Sequence, residues 1–115
     1  CGIFNTESMY TETEEMFFVH HDNEGAYWDV PKPRNYSFSP HLKVANWDTP
    51  ILIITGENDF RIPYTQSMQA FNAAQLLGVP SKLLVFPDES HFVLKPQNAI
   101  LWQREFRGWL DEYLK

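Results

Sequence analysis

The clearest hydrophobic signal in the chain is Ile51-Leu52-Ile53-Ile54-Thr55, a continuous β-branched and apolar run that starts after Pro50 and closes at Gly56. Such a run predicts a strand covered on both faces, the pattern of a parallel sheet. A polar loop over 57–63 follows, then a helix over 64–77. Ala70, Ala73, Ala74 and Leu77 fall at i, i+3, i+4 and i+7 on one face of it. Gly78 and Pro80 supply its stop signals. Residues 82–86 form a second short apolar strand, and 87–90 a turn leading to His91. The last helix is predicted over 96–114, with Trp102, Phe106, Trp109, Leu110 and Tyr113 as its buried stripe. Upstream, Ser39-Pro40 predicts a short helix through about Val44, with Ser39 as the cap and Pro40 at the first helical position.

Residues 1–40 show no clear period. Positions 11–20 mix acids with Met16, Phe17, Phe18 and Val19 and predict a short helix. Gly25, Pro31, Pro33 and Pro40 favour turns and extended chain around it. Tyr27, Trp28, Tyr36 and Phe38 need cover, so this stretch predicts a folded, loop-rich layer.

The order strand, loop, helix, strand, loop, helix predicts an α/β fold with parallel strands and right-handed crossovers. In such sheets the chemistry sits on loops at the carboxyl ends of the strands. That rule singles out the loops over 57–63 and 87–92.

Composition narrows the function classes. The chain has 115 residues, 43% hydrophobic and 21% charged, which excludes global disorder. The net charge of −6 is lopsided: residues 1–30 carry seven acids and no Lys or Arg, while 31–115 carry nine basic and eight acidic residues. Neither part offers the basic patch that nucleic acid requires. No apolar run approaches the ~20 residues of a membrane helix. The single Cys excludes an internal disulfide and a multi-Cys metal knuckle. The chain starts at Cys1, so targeting and compartment are not read from its first residues.

Asp59 lies in the first singled-out loop and His91 in the second. A carboxylate beside a histidine can hold the imidazole by its Nδ1–H and stabilise the imidazolium that forms when the ring takes a proton. The alternative from spacing alone is an Asp that caps the next helix and a His that is an ordinary loop residue. His20-His21-Asp22 reads as solvated loop in preference to a metal site, because adjacent His side chains diverge and no second cluster supports them. Glu12, Glu14 and Glu15 read as a solvated helix face in preference to a trap for a substrate amine. Arg61 is balanced between binding a substrate carbonyl or carboxylate and forming a structural ion pair.

Residues 51–63, ILIITGENDFRIP, closely resemble the apolar strand and Gly-x-x-Asp-x-Arg-Val-Pro pattern of the prolyl oligopeptidase family of serine peptidases. Phe86-Pro87-Asp88-Glu89-Ser90-His91 resembles the strand end and loop that carry that family's catalytic His. Pro96, Asn98, Trp109 and Leu110 continue the resemblance, as does Ser39-Pro40 before a short helix. It is strongest from residue 39 to the end and nearest to the dipeptidyl-peptidase and acylaminoacyl-peptidase types.

The resemblance implies the C-terminal portion of an α/β-hydrolase fold with an incomplete sheet. Residues 1–40 would be a variable loop and helix region, and 41–115 the strand-helix-strand-helix unit. It implies Asp59 as the triad Asp, His91 as general base, Arg61 and Ile62 beside the substrate, and Phe4 in an apolar specificity pocket, although most aromatics in such positions are core. It implies a peptide substrate and no metal or organic cofactor. The family's nucleophile belongs to a Gly-x-Ser-x-Gly elbow. Ser8, Ser37, Ser39, Ser67, Ser81 and Ser90 all lack that context. The expectation is therefore a piece of a longer peptidase, inactive by itself and prone to self-association through an exposed sheet edge. Another α/β-hydrolase, such as an esterase, and a non-catalytic binding segment are the competing readings.

Overall fold

The computed structural model describes residues 1–114. Helix α1 (Thr6–Glu12) starts at Asn5, whose Oδ1 accepts from the backbone N–H groups of Glu7 and Ser8 at 3.0 and 3.3 Å. This is an ordinary side-chain N-cap. Helix α2 (Met16–Asp22) follows after a break. The single helix expected over 11–20 is thus two. At the break, the Thr13 hydroxyl donates to the Arg61 carbonyl (2.7 Å) and accepts from Glu15 N–H (3.0 Å), and Glu14 N–H goes to the Phe60 carbonyl (2.9 Å). Partners elsewhere in the chain draw these groups out of a helical ladder.

Two 3₁₀ segments, Arg34–Phe38 and Pro40–Asn46, lead to the sheet. Pro40 takes the first position of the second, as expected, but Ser39 does not cap it. The fully buried Ser39 hydroxyl instead accepts from Thr6 N–H at 3.0 Å and lies 2.6 Å from Nδ1 of His41. Of the aromatics expected to be covered, Tyr36 is buried and donates to the Gly25 carbonyl, while Trp28 and Phe38 stay exposed.

Strands β1 (Ile51–Gly56) and β2 (Ser81–Phe86) pair in parallel, in register from Ile51 with Ser81 to Gly56 with Phe86. Helix α3 (Tyr64–Leu76) makes the crossover and packs on both strands. Its buried face is Gln66, Ser67, Ala70 and Ala74; Leu77, expected on that face, is exposed because the helix has ended. Gly78 takes φ +72°, with Gly78 N–H bonded to Gln75 O and Val79 N–H to Ala74 O. That paired pattern is a Schellman stop, which favours glycine at the left-handed position.

Helix α4 (Pro96–Tyr113) begins with Pro at its first turn. An ion pair between Lys82 and Glu105 ties it to β2. Its aromatic stripe is present, with Trp102 stacked on Phe106 at 5.0 Å. The stripe is nevertheless not buried: no α4 residue is, and Phe106 and Tyr113 are each 38% exposed. It borders an open trough of about 700 Å³ shared with Leu52 and Ile54 of β1. Correspondingly, Ile51 to Ile54 are half-buried, where cover on both faces was expected. No helix among the described residues is long and apolar enough to cross a membrane.

Candidate active site

The parallel pairing of β1 and β2 delivers their following loops to one sheet edge. Glu57 N–H donates to the Phe86 carbonyl at 2.9 Å, continuing the ladder past the strand ends. Asn58 then bridges the loops: its N–H goes to Glu89 O (3.0 Å) and its side-chain amide to Pro87 O (3.0 Å). Gly56 sits where the loops close. A Cβ there would lie 2.2 Å from the Ser90 carbonyl oxygen and 2.6 Å from that of Glu89, distances only glycine tolerates.

Asp59 follows, 2% exposed. Its Oδ1 accepts from the N–H groups of Arg61 (3.1 Å) and Ile62 (2.9 Å), and its Oδ2 lies 2.9 Å from Nδ1 of His91. Asp59 does not cap α3, whose N-cap position is Pro63 with no side-chain bond; its two oxygens serve the loop and the ring instead. Oδ1 stabilises the local turn, as Asp side chains do, and Oδ2 meets the imidazole. With Oδ1 held by two backbone donors, the carboxylate cannot rotate freely, and the ring inherits that orientation. The His91 side chain is 25% exposed, so its other face remains accessible.

Arg61 is a structural ion pair in this structure, with Nε 2.8 Å from Glu15 Oε1 on the first-forty-residue layer. It still borders a cavity of about 260 Å³ whose wall includes Ile3, Met9, Phe18, Arg61, Ile62 and His91. Phe4 is absent from that wall. It is 8% exposed and packs edge-on against Trp47 (5.5 Å) and His41 (6.3 Å). Phe4 enters the core and Ile3 borders the cavity.

The cavity wall from α1 and α2 is fixed by Gln66, fully buried on α3. Its Oε1 accepts from Phe4 N–H (3.1 Å) and Asn5 N–H (2.8 Å), and its Nε2 donates to Ser8 Oγ and Glu12 Oε2, both at 2.9 Å. Glu12 and Glu14 are exposed and Glu15 is half-buried, with Glu12 bonded to Gln66 and Thr65 and Glu15 to Arg61. Ile3, Met9 and Gln66 carried no local signal; Gln66 acts through bonds to partners more than fifty residues away.

For metal ligation, Cys1, Asp59 and His91 bring one ligand atom each within 4.8 Å of one another. Asp59 and His91 already bond each other there, and the Cys1 thiol lies 3.1 Å from the His91 carbonyl oxygen. His20 and His21 diverge: Nδ1 of His20 meets the Tyr10 hydroxyl at 2.8 Å, while His21 is exposed beside Asp22.

Residues 1–115 match the family model described as the prolyl oligopeptidase family. The chain is similar to dipeptidyl-peptidase 5 of Porphyromonas gingivalis, 57% identical over 118 residues covering 100% of this chain and 17% of that protein. It is also similar to dipeptidyl-peptidase 5 of Schizosaccharomyces pombe, 39% identical over 114 residues, 99% of this chain and 16% of that protein. Among solved structures it superposes on an acylaminoacyl peptidase of Pyrococcus horikoshii with a TM-score of 0.87 at 21% identity, covering 99% of this chain and 19% of that one. The fold is thus that of a portion of an α/β-hydrolase peptidase, and the chain spans about one sixth of the length of the curated relatives it matches.

Proposed function

That the chain belongs to the prolyl oligopeptidase family is the premise from which we propose that it is the Asp- and His-bearing part of a serine peptidase acting on oligopeptides. The observation that carries this reading is the 2.9 Å contact between buried Asp59 and Nδ1 of His91, which leaves Nε2 as the free ring nitrogen. In this reading a serine outside the chain gives its proton to His91 Nε2 as its Oγ adds to the scissile carbonyl. His91 then passes the proton to the leaving amine. Water repeats the sequence to release the acyl group. Asp59 holds the imidazole in the required tautomer and stabilises its protonated form.

No serine of this chain fits the nucleophile. None lies in a Gly-x-Ser-x-Gly elbow, and Ser90, next to His91 in sequence, is not one of its hydrogen-bond partners. The nucleophile and the donors that meet the oxyanion are assigned to the remainder of a longer protein. The cavity beside His91 takes an apolar side chain of the substrate against Ile3, Met9, Phe18 and Ile62. Arg61, held by Glu15, borders it as a potential donor to a substrate carbonyl. Residues 41–115 form the unit that carries both catalytic groups, and residues 1–40 the variable layer that closes the pocket.

The test uses the full-length protein. Covalent labelling by a fluorophosphonate and faster turnover of peptide amides with an apolar residue before the scissile bond are expected. Labelling with turnover of simple esters alone would assign it to the esterases. No labelling would leave a binding role.

A further inference from the structure

We propose that Glu89 is a positioning residue for His91: its buried carboxylate closes the loop that carries the imidazole and holds the ring against Asp59. The inference rests on the proposed catalytic role of His91.

The loop between β2 and α4 has little backbone bonding of its own. Among the described residues, no backbone N–H from Ser90 to Leu94 donates to another backbone carbonyl. Glu89 replaces that bonding. Its Oε2 accepts from Leu94 N–H at 3.1 Å and its Oε1 from Lys95 N–H at 2.8 Å. Oε1 also accepts from the Asn98 amide at 2.9 Å. The segment from Glu89 to Lys95 is therefore shut into a ring by its own first side chain, with His91 inside. The ring is anchored on the other side too, because the Glu89 carbonyl accepts from Asn58 N–H, one residue before Asp59.

Glu89 is 5% exposed, and among the described residues no cation pairs with it. The nearby ammonium of Lys95 is bonded to Asp88 at 2.8 Å. Two of the donors to Glu89, the N–H groups of Leu94 and Lys95, lie just before α4, and the third, the Asn98 side-chain amide, is in its first turn; the N-terminus of this 18-residue helix favours negative charge. A charge buried without a counter-ion persists where its donors are oriented beforehand. Here those donors also determine the path of the His91 backbone. A neutral amide at this position would present two N–H groups among N–H donors and break the ring.

The experiment uses the full-length protein with ¹⁵N-labelled histidine, comparing wild type with Glu89→Gln. The readouts are kcat and KM on a peptide amide and the downfield Nδ1–H resonance of His91, identified by its loss in His91→Ala. Expected are a kcat lower by about tenfold or more, a KM changed by less than about threefold, and a shifted or exchange-broadened resonance, as misplacement of a reacting group predicts. A folded Glu89→Gln protein with kcat within about twofold of wild type and an unmoved resonance would overturn the proposal. If that variant does not fold, Asn98→Ala, which removes one donor, is read the same way: a moved resonance supports the latch and an unmoved one refutes it. Undiminished turnover in His91→Ala would instead sink the catalytic reading, while the resonance in Glu89→Gln still reports on the positioning.

Discussion

Asp59 and His91, 32 residues apart in sequence, meet at 2.9 Å because β1 and β2 are adjacent and parallel and end in register. One helix and one strand separate them along the chain, and the crossover brings both loops to the same edge. The carboxylate that reaches the ring is pinned at its other oxygen by two backbone N–H groups. Its geometry therefore does not depend on solvent.

Replacing either partner should remove turnover without removing the fold. Asp59→Ala or His91→Ala in the full-length protein is expected to lower kcat about a thousandfold or more. Circular dichroism should stay unchanged for His91→Ala, whose side chain is partly exposed. Near-normal kcat in either variant would refute the assignment.

Gly56→Ala puts a methyl against two backbone carbonyls on the His91 loop, neither of which can rotate away as a side chain would. The loop must shift. A loss of about 1–3 kcal/mol is expected from overpacking, read from the denaturation midpoint. Turnover should fall as well, since the displaced carbonyls flank His91. An unchanged midpoint would mean that the loops can part at little cost.

Gln66→Ala strands the N–H groups of Phe4 and Asn5 and takes one bond each from Glu12 and Ser8. Leaving buried donors unpaired costs about 1–3 kcal/mol. Since these bonds fasten α1 to α3, the cavity wall loosens and KM for substrates with an apolar residue should rise. Urea titration and KM measurements check the two effects separately.

Acid should release the His91 loop. Glu89 has its pKa held below the ordinary carboxylate value, first by the Asn98 amide and then by the N–H groups of Leu94 and Lys95, against opposing desolvation and the neighbouring Asp88 charge. Asp88 is likewise lowered, chiefly by Lys95 and Asn98. A depressed carboxylate pKa stabilises the fold above the unfolded value, and that contribution disappears as pH falls through the folded value. The protection of the Leu94 and Lys95 amides, taken relative to their intrinsic exchange at each pH, should therefore fall below the usual carboxylate range, and protection that stays constant across that range would contradict this.

Expressed alone, the 115-residue chain should self-associate, because α4 and β1 leave a wide apolar trough open between Ile54, Trp102 and Trp109. Light scattering showing a stable monomer would count against it.

Local patterns along the chain specify most of what lies between Ile51 and Tyr113. An apolar run bounded by Pro50 and Gly56, an alanine-lined face ending at Gly78, and Pro96 ahead of an aromatic stripe are local patterns, and each forms the element it predicts. The order of those elements was enough to bring Asp59 and His91 to one edge. Long-range packing accounts for the rest. It placed Ile3 rather than Phe4 at the cavity, turned Ser39 from a helix cap into a tie for α1, and split the helix expected over 11–20 at Thr13. It also spent a buried carboxylate, Glu89, on the loop that holds His91. Each of these depends on a side chain meeting a partner that no hydrophobic period specifies. A period records which face of an element turns inward, and it is silent on which polar group waits there.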